Sequence, residues 1–416
     1  MNFNEQLNAY AELLINTGLS LQTGQDLVIR SPIEGRDLVV ACAEAAYAKG
    51  AADVRVIWSD DALTLLKYEH APENVLNTVH DFDTELYRHY IENGAAFLSF
   101  TGSDPDLLKQ IDAHKLQKAS MSRSKAMRFY SEAIMKDENP WTVAGIATEA
   151  WAKKVYPEDD TDVAVKKLWQ AIFDMCRVSK STIADWKKHT TTVDGQAKKL
   201  TEAAYKSLHY KNSLGTDLMI TLPEGHIWAG GGSTLPDGRS TLPDGRYFVA
   251  NIPTEEVFTL PHRNGVDGIV YASMPLAYNG NVIDKFWLRF EEGKVVDFDA
   301  EKGKDVLSRL LDTDEGARRL GEVALVPYDS PISNRNQLFF NTLYDENASC
   351  HLALGKAYPT NLQGGGDLNE EALLERGAND SLIHVDFMVG TEDLSITATT
   401  TDGDEVPIFV NGNWAE

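Results

Sequence analysis

The segment Leu382-Ile-His384-Val-Asp386-Phe-Met-Val389 sets an imidazole and a carboxylate two positions apart in an otherwise apolar run. Such a run reads as a buried strand, and residues two apart in a strand project to one face. His384 and Asp386 therefore point the same way, while Ile383, Val385, Phe387 and Val389 face the other. An imidazole beside a carboxylate in apolar surroundings is costly unless the two are paired or bind a metal. On this segment alone both readings stay open. The same half of the chain holds similar anomalies. Glu322 opens the apolar stretch Val323–Val326, and Glu256 sits against Val257-Phe258 in Pro253-Thr-Glu-Glu-Val-Phe-Thr259. Glu346 and His351 lie at a helix-to-strand junction within Asp345-Glu-Asn-Ala-Ser-Cys-His-Leu-Ala-Leu-Gly355. Each could be a solvated charge when taken singly. Together they gather hard oxygen and imidazole donors without thiolates, a set suited to Zn²⁺, Co²⁺, Mn²⁺ or Mg²⁺.

Other chemistries lack their signatures. The chain has no HExxH, GxSxG, GxxxxGK[ST] or GxGxxG motif, which removes the usual support for single-zinc, serine-hydrolase, P-loop and Rossmann readings. The runs Gly230–Gly232 and Gly364–Gly366 do not follow a strand and open a helix with phosphate-binding spacing. Cys350 and His351 are neighbours on a strand and face opposite sides, so they do not form a nucleophile–base pair. The three cysteines, Cys42, Cys176 and Cys350, are scattered and without CxxC spacing. A disulfide framework is not expected, and a reducing cytoplasm fits.

The elements that must position these residues fall into two textures. Gln25–Ile29, Asp53–Trp58 and Ala95–Phe100 read as strands, interleaved with helices over Asp37–Lys49 and Ala62–Glu69. That alternation predicts an α/β unit with a largely parallel sheet. Asp162–Ser179 reads as an amphipathic helix with Val165, Leu168, Ile172 and Cys176 on its packing stripe. The texture changes over residues 185–210. Beyond it, Asp267–Leu276, Val282–Glu291 and Lys294–Phe298 read as strands joined by turns at Asn279-Gly280 and Glu292-Gly293. Helices are expected again over Gly303–Leu311 and Asn336–Tyr344. The chain is thus expected to hold an N-terminal α/β domain over residues 1–200 and a β-rich α+β catalytic domain over 201–416. Ser233-Thr-Leu-Pro-Asp-Gly-Arg239 recurs as residues 240–246, a duplication of turn chemistry in a surface loop.

Composition narrows the partners. Sixty-three acidic against 39 basic residues in 416 give a net charge of −24. Such a surface repels phosphate backbones and anionic lipid, so neither nucleic acid nor membrane is an expected partner. No apolar stretch approaches the ~18 residues of a membrane span, and no export signal is visible at Met1–Glu5. A cytoplasmic protein is expected.

Five stretches, in this order, also carry a resemblance. They are Asn251-Ile-Pro-Thr-Glu-Glu-Val-Phe-Thr259, Leu320-Gly-Glu-Val-Ala-Leu-Val326, Asn341-Thr-Leu-Tyr-Asp-Glu-Asn-Ala-Ser-Cys-His351, Gly355-Lys-Ala-Tyr358 and His384-Val-Asp-Phe-Met-Val-Gly390. With them the whole chain resembles the aminopeptidase T, aminopeptidase S and PepS family of dinuclear metalloaminopeptidases. The resemblance implies two divalent metal ions held by Glu256, Glu322, His351, His384 and Asp386, with Glu346 and Tyr358 as catalytic neighbours, and it implies a homodimer. Glu255 is ambiguous beside Glu256, because adjacent residues of an extended segment face opposite ways; the motif match selects Glu256. Three carboxylates leave two divalent ions one positive charge in excess, which a hydroxide neutralises. Asp386 is the expected bridge, with Glu322 next. Two ions ~3.5–4 Å apart would activate a water for attack on the N-terminal peptide bond. Glu346 would shuttle its proton, and Tyr358 would hydrogen-bond the oxyanion. A dinuclear phosphohydrolase uses similar parts but needs Arg or Lys beside the ligands to clamp phosphate. A non-catalytic metal-binding protein is the remaining alternative.

Overall fold

The computed structural model describes residues 1–232, 242 and 244–415. The first copy of the duplicated heptad, at 233–239, and residues 240, 241 and 243 of the second lie outside the described residues.

Strand-helix alternation in the first half produces the expected parallel sheet. Leu27–Pro32 lies between Val54–Ser59 and Ala96–Thr101, and Trp141–Gly145 follows outward, all parallel. A fifth strand, Asn251–Ile252, pairs in parallel with Trp141–Gly145, so the chain returns to this sheet long after leaving it. Helices Phe3–Leu13, Arg36–Ala48 and Thr161–Met175 pack against the sheet through Leu7, Cys42, Leu168, Ile172 and Phe173. The packing stripe read for the last of these is buried at Leu168, Ile172 and Cys176. That helix ends at Met175 rather than Ser179. Arg177 adopts a left-handed conformation, φ 53°, and a separate 22-residue helix, Thr182–Ala203, runs onward into the second half.

Among the described residues the second half forms two antiparallel sheets. The nine-stranded sheet carries both expected turns. Asn279 and Gly280 have φ of 48° and 69°, and Glu292 and Gly293 have 49° and 79°. Two successive positive φ values are the geometry of the tight turn that matches strand twist. The smaller sheet contains Val257–Thr259, Leu320–Leu325, His351–Gly355 and His384–Met388. Leu208, Leu288, Val323, Leu352, Phe387 and Ile396 pack between the two sheets in one apolar cluster.

One expected helix is displaced. Asn336–Tyr344 is not helical throughout; the helix spans Thr342–Glu346. Asn336 and Phe340 sit at positive φ, 48° and 53°, which a helix excludes. The buried Asp345 carboxylate organises the preceding loop instead, accepting from the backbone N–H of Phe339 at 2.8 Å and of Asn341 at 3.0 Å. This loop packs Phe339, Leu343 and Tyr344 into the core of the first half.

Candidate metal centre

The four-stranded sheet explains why the acidic and imidazole residues meet. Partners in register share a face of a sheet. Ala353 pairs with Asp386 on one side and with Glu322 on the other, Gly355 pairs with His384, and Ala324 pairs with His351. Glu322, His351, His384 and Asp386 therefore project from one face, and Glu256 joins them from the residue before Val257. The alternate residues Val323, Leu325, Leu352, Leu354 and Phe387 enter the core on the opposite face. At position 355 only glycine fits, since φ is 109° and an added Cβ would stand 2.1 Å from the Ile383 carbonyl oxygen.

Glu322 is central. Its Oε1 lies 3.5 Å from Nε2 of His351 and its Oε2 lies 3.4 Å from Nε2 of His384. Glu256 Oε2 approaches His351 Nε2 at 2.9 Å, and Asp386 Oδ1 lies 3.5 Å from His384 Nε2. Both imidazoles are fixed from behind. His351 Nδ1 is 3.0 Å from the carbonyl oxygens of Glu346 and Ser349, and His384 Nδ1 is 2.6 Å from that of Lys356. Carbonyls only accept, so Nδ1 carries the proton and Nε2 is presented to the cluster, the usual arrangement of metal-ligating histidine.

The electrostatics are set by burial and by the crowding of carboxylates against two imidazoles. Burial pushes the Glu346 carboxyl well above the usual carboxylate range, with Asp386 and Glu256 adding to it. Burial also raises Glu256. His351 and His384 move up although burial opposes their charge, His351 through Glu256 and Glu322, His384 through Asp386 and Glu322. Burial opposes ionisation of Asp386, yet His384 holds it below the usual carboxylate range. Asp386 Oδ1 is nevertheless buried without accepting a hydrogen bond. Carboxylate and imidazole atoms within 4.8 Å of one another form three overlapping groups: Glu256, Glu322 and His351; Glu322, His384 and Asp386; Glu346, His351 and Asp386. The orphaned oxygen and the all-oxygen-and-nitrogen donor set fit hard or borderline divalent cations.

All seven residues singled out in the sequence line one cleft of about 610 Å³, open to solvent. Glu346 reaches it from the end of its short helix, and Asn347 Nδ2 donates to its carboxylate at 3.4 Å. The Tyr358 ring packs edge-on against His384, 5.1 Å between centroids, and against Phe258 at 5.6 Å. Burial, followed by the charges of Glu322 and Asp386, keeps its phenol protonated well above the usual range. Glu255 turns away from the cluster. Arg177 donates to both of its carboxylate oxygens, at 2.5 and 2.9 Å. Lys356, the one lysine in the motif stretches, also points away, with its Nζ 3.3 Å from Asp380. No Lys or Arg among the described residues lines the cleft. The cleft residues Asp137, Trp141, Phe248 and Thr360 carried no sequence signal, because they come from the first half of the chain and from loops without a recognisable motif, and Thr254, though inside the first motif stretch, was not singled out there.

The chain matches the family described as thermophilic metalloprotease (M29) over residues 3–414. It is 46% identical over 414 residues to aminopeptidase 2 of Geobacillus stearothermophilus, covering 99% of this chain and 98% of that one. It is 45% identical to aminopeptidase AmpS of Bacillus subtilis, covering 100% and 99%. Wild-type AmpT from Thermus thermophilus superposes with a TM-score of 0.90 at 41% identity, over 100% of both chains. The ordered motifs, the fold and the full-length similarity agree, and the chain belongs to the thermophilic metalloprotease family, M29.

Proposed function

We infer that this chain is a metal-dependent aminopeptidase that removes N-terminal residues from peptides, with two divalent ions in the cleft. The observation that carries this reading is the shared face of the four-stranded sheet. It presents three carboxylates and two imidazoles whose Nδ1 atoms are already committed to backbone carbonyls. One ion would be held by Glu256, Glu322 and His351, and the other by Glu322, His384 and Asp386. Glu322 is the favoured shared ligand, because each of its oxygens faces a different imidazole; this reverses the order of preference that put Asp386, with its short side chain beside His384, ahead of Glu322.

Ions bound there supply Lewis acidity toward the scissile carbonyl and acidify a water. Glu346 would accept the proton of the attacking water and return it to the leaving amine, a role supported by its burial beside Asp386 and its hydrogen bond from Asn347. Tyr358 keeps its proton and can donate a hydrogen bond to the oxyanion of the substrate. The absence of Lys or Arg among the described cleft residues disfavours a phosphohydrolase.

Zn²⁺, Co²⁺, Mn²⁺ and Mg²⁺ are the candidate ions, and a cytoplasmic homodimer is proposed. So is a division near residue 200 into an α/β unit and a catalytic unit. No helix among the described residues is long and apolar enough to cross a membrane. The test is metal analysis with a panel of aminoacyl-p-nitroanilides, with and without chelator. Chelation should abolish hydrolysis, and Co²⁺, Mn²⁺ or Zn²⁺ should restore it. N-acetylated peptides should be refused. Full activity after exhaustive chelation would sink the metalloenzyme reading.

A further inference from the structure

Asp137, Trp141 and Phe248 are among the cleft residues to which the metal centre gives no role. Trp141 opens a strand of the parallel sheet, and Phe248 precedes the short strand Asn251–Ile252 that pairs with it. Their rings lie 6.3 Å apart at 56°. Asp137 follows the helix Arg128–Met135 in the left-handed conformation, φ 54°. This is the position at which helices commonly end on Gly or Asn. Its N–H donates to the Ile134 carbonyl at 3.0 Å, and an asparagine would make the same stop without charge.

An aspartate is unfavourable there on several counts. The residue is only 5% exposed. The C-terminal end of a helix carries the negative pole of its dipole. Among the described residues the carboxylate accepts one side-chain hydrogen bond, from the Trp141 indole at 3.3 Å, and no cation acts on it; burial pushes it up to about 7. Its neighbour Lys136 is turned the other way, toward the Leu368 carbonyl at 3.4 Å. A buried carboxylate without a cation is costly. Set in the wall of a ligand cleft beside two aromatic rings, it has the surroundings that bind an organic cation from outside.

We propose that Asp137, Trp141 and Phe248 form a subsite for an ammonium or guanidinium group of the substrate. The proposal deepens the aminopeptidase reading and rests on it. Two parts of a peptide supply such a charge: its α-ammonium group, or a lysine or arginine side chain at the N-terminus. In either case the carboxylate faces the charge and the rings pack against the attached carbon chain.

Asp137→Asn keeps the shape of the turn and an acceptor for the indole. Metal-loaded wild type and variant are compared on the p-nitroanilides of lysine, arginine and norleucine, the last having the length of lysine without its charge. A loss of kcat/KM of ~30-fold or more confined to lysine and arginine supports the proposal, with the side chain as source. An equal loss on all three, carried by KM at unchanged metal content, supports it with the α-ammonium as source. No change on any substrate, or a loss carried by kcat alone, overturns it. A second measurement needs neither the variant nor turnover. Saturation-transfer NMR on metal-loaded wild type compares benzylammonium with benzyl alcohol. Contact by the cation and not by the alcohol supports the subsite; equal contact, or none, overturns it. Inactivity of wild type on every aminoacyl substrate sinks the aminopeptidase reading and leaves this second measurement standing.

Discussion

Ala353 stands directly opposite Asp386 in the register of the four-stranded sheet, and on its other side it stands opposite Glu322. Its methyl group is all that the central strand places between these two carboxylates of the proposed metal site. Both Ala353 and Ala324, the partner of His351, are fully buried. Small residues there keep open the space that the ions would occupy.

Ala353→Leu should therefore abolish metal binding while leaving the fold in place at a cost of ~1–3 kcal/mol for overpacking. Ala353→Gly should keep the metal and lose only ~0.5–1 kcal/mol. Metal stoichiometry and thermal melts on the two variants check this. Two ions retained by the leucine variant would show that the cluster lies elsewhere than on this face.

Glu322 and Glu256 should differ in how many ions their loss releases. Glu322 belongs to two of the ligand groups and Glu256 to one. Glu322→Gln should leave the protein without bound metal, and Glu256→Gln should leave about one ion per chain. Equal losses in both variants would remove Glu322 from the shared position.

The site was more legible in the sequence than the frame around it. Strand periodicity alone assigned His384 and Asp386 to one face, because a period of two survives in any strand, and the register confirms the shared face. The choice between Glu255 and Glu256 needed the motif. The structural reason became visible only with Arg177, 78 positions away, which neutralises Glu255. The helix Thr182–Ala203 was missed since it carries nine Thr, Asp, His and Gly residues, and its burial comes from long-range packing at Trp186, Val193 and Leu200. The return of Asn251–Ile252 to the parallel sheet was invisible for a related reason. Two residues carry no periodicity, and their pairing with Val143 and Ala144 is a tertiary fact. The cleft wall at Asp137 and Trp141 escaped notice likewise, since their proximity to the ligands is set by that same pairing.

The metal site should respond to pH through its histidines. His351 and His384 are raised by the surrounding carboxylates, so in the metal-free protein they hold protons above the ordinary value of ~6.5. A raised value contributes stability to the metal-free fold that is fully present below ~6.5 and is lost as pH rises through the raised values. Metal ligation requires the neutral imidazole, so protons compete with the ions. The gain in Tm on loading with Zn²⁺ should accordingly grow from about pH 6 to about pH 8. Melts with and without chelator across that range, at constant ionic strength, measure it. A gain that is largest at acid pH would contradict the ligand assignment.

Tyr358 and Glu346 should separate catalysis from metal binding. Tyr358→Phe removes one hydroxyl and keeps the ring that packs on His384 and Phe258. The ions should remain, while kcat falls ~10²–10³-fold, or ~3–4 kcal/mol, as for loss of one oxyanion donor. KM should change little, because the hydrogen bond forms mainly in the transition state. Glu346→Gln keeps the shape of the side chain and its contact with Asn347 but cannot carry a proton. If Glu346 is the shuttle, this variant should also lose kcat at full metal content, and the limb of the pH–rate profile that reports the base should disappear. Loss of an ion from Glu346→Gln would instead make Glu346 a ligand, an outcome its membership of the group with His351 and Asp386 makes worth measuring. Near-normal turnover in both variants would require the proton path and the oxyanion donor to be sought among Thr254, Thr360 and the other polar residues of the cleft.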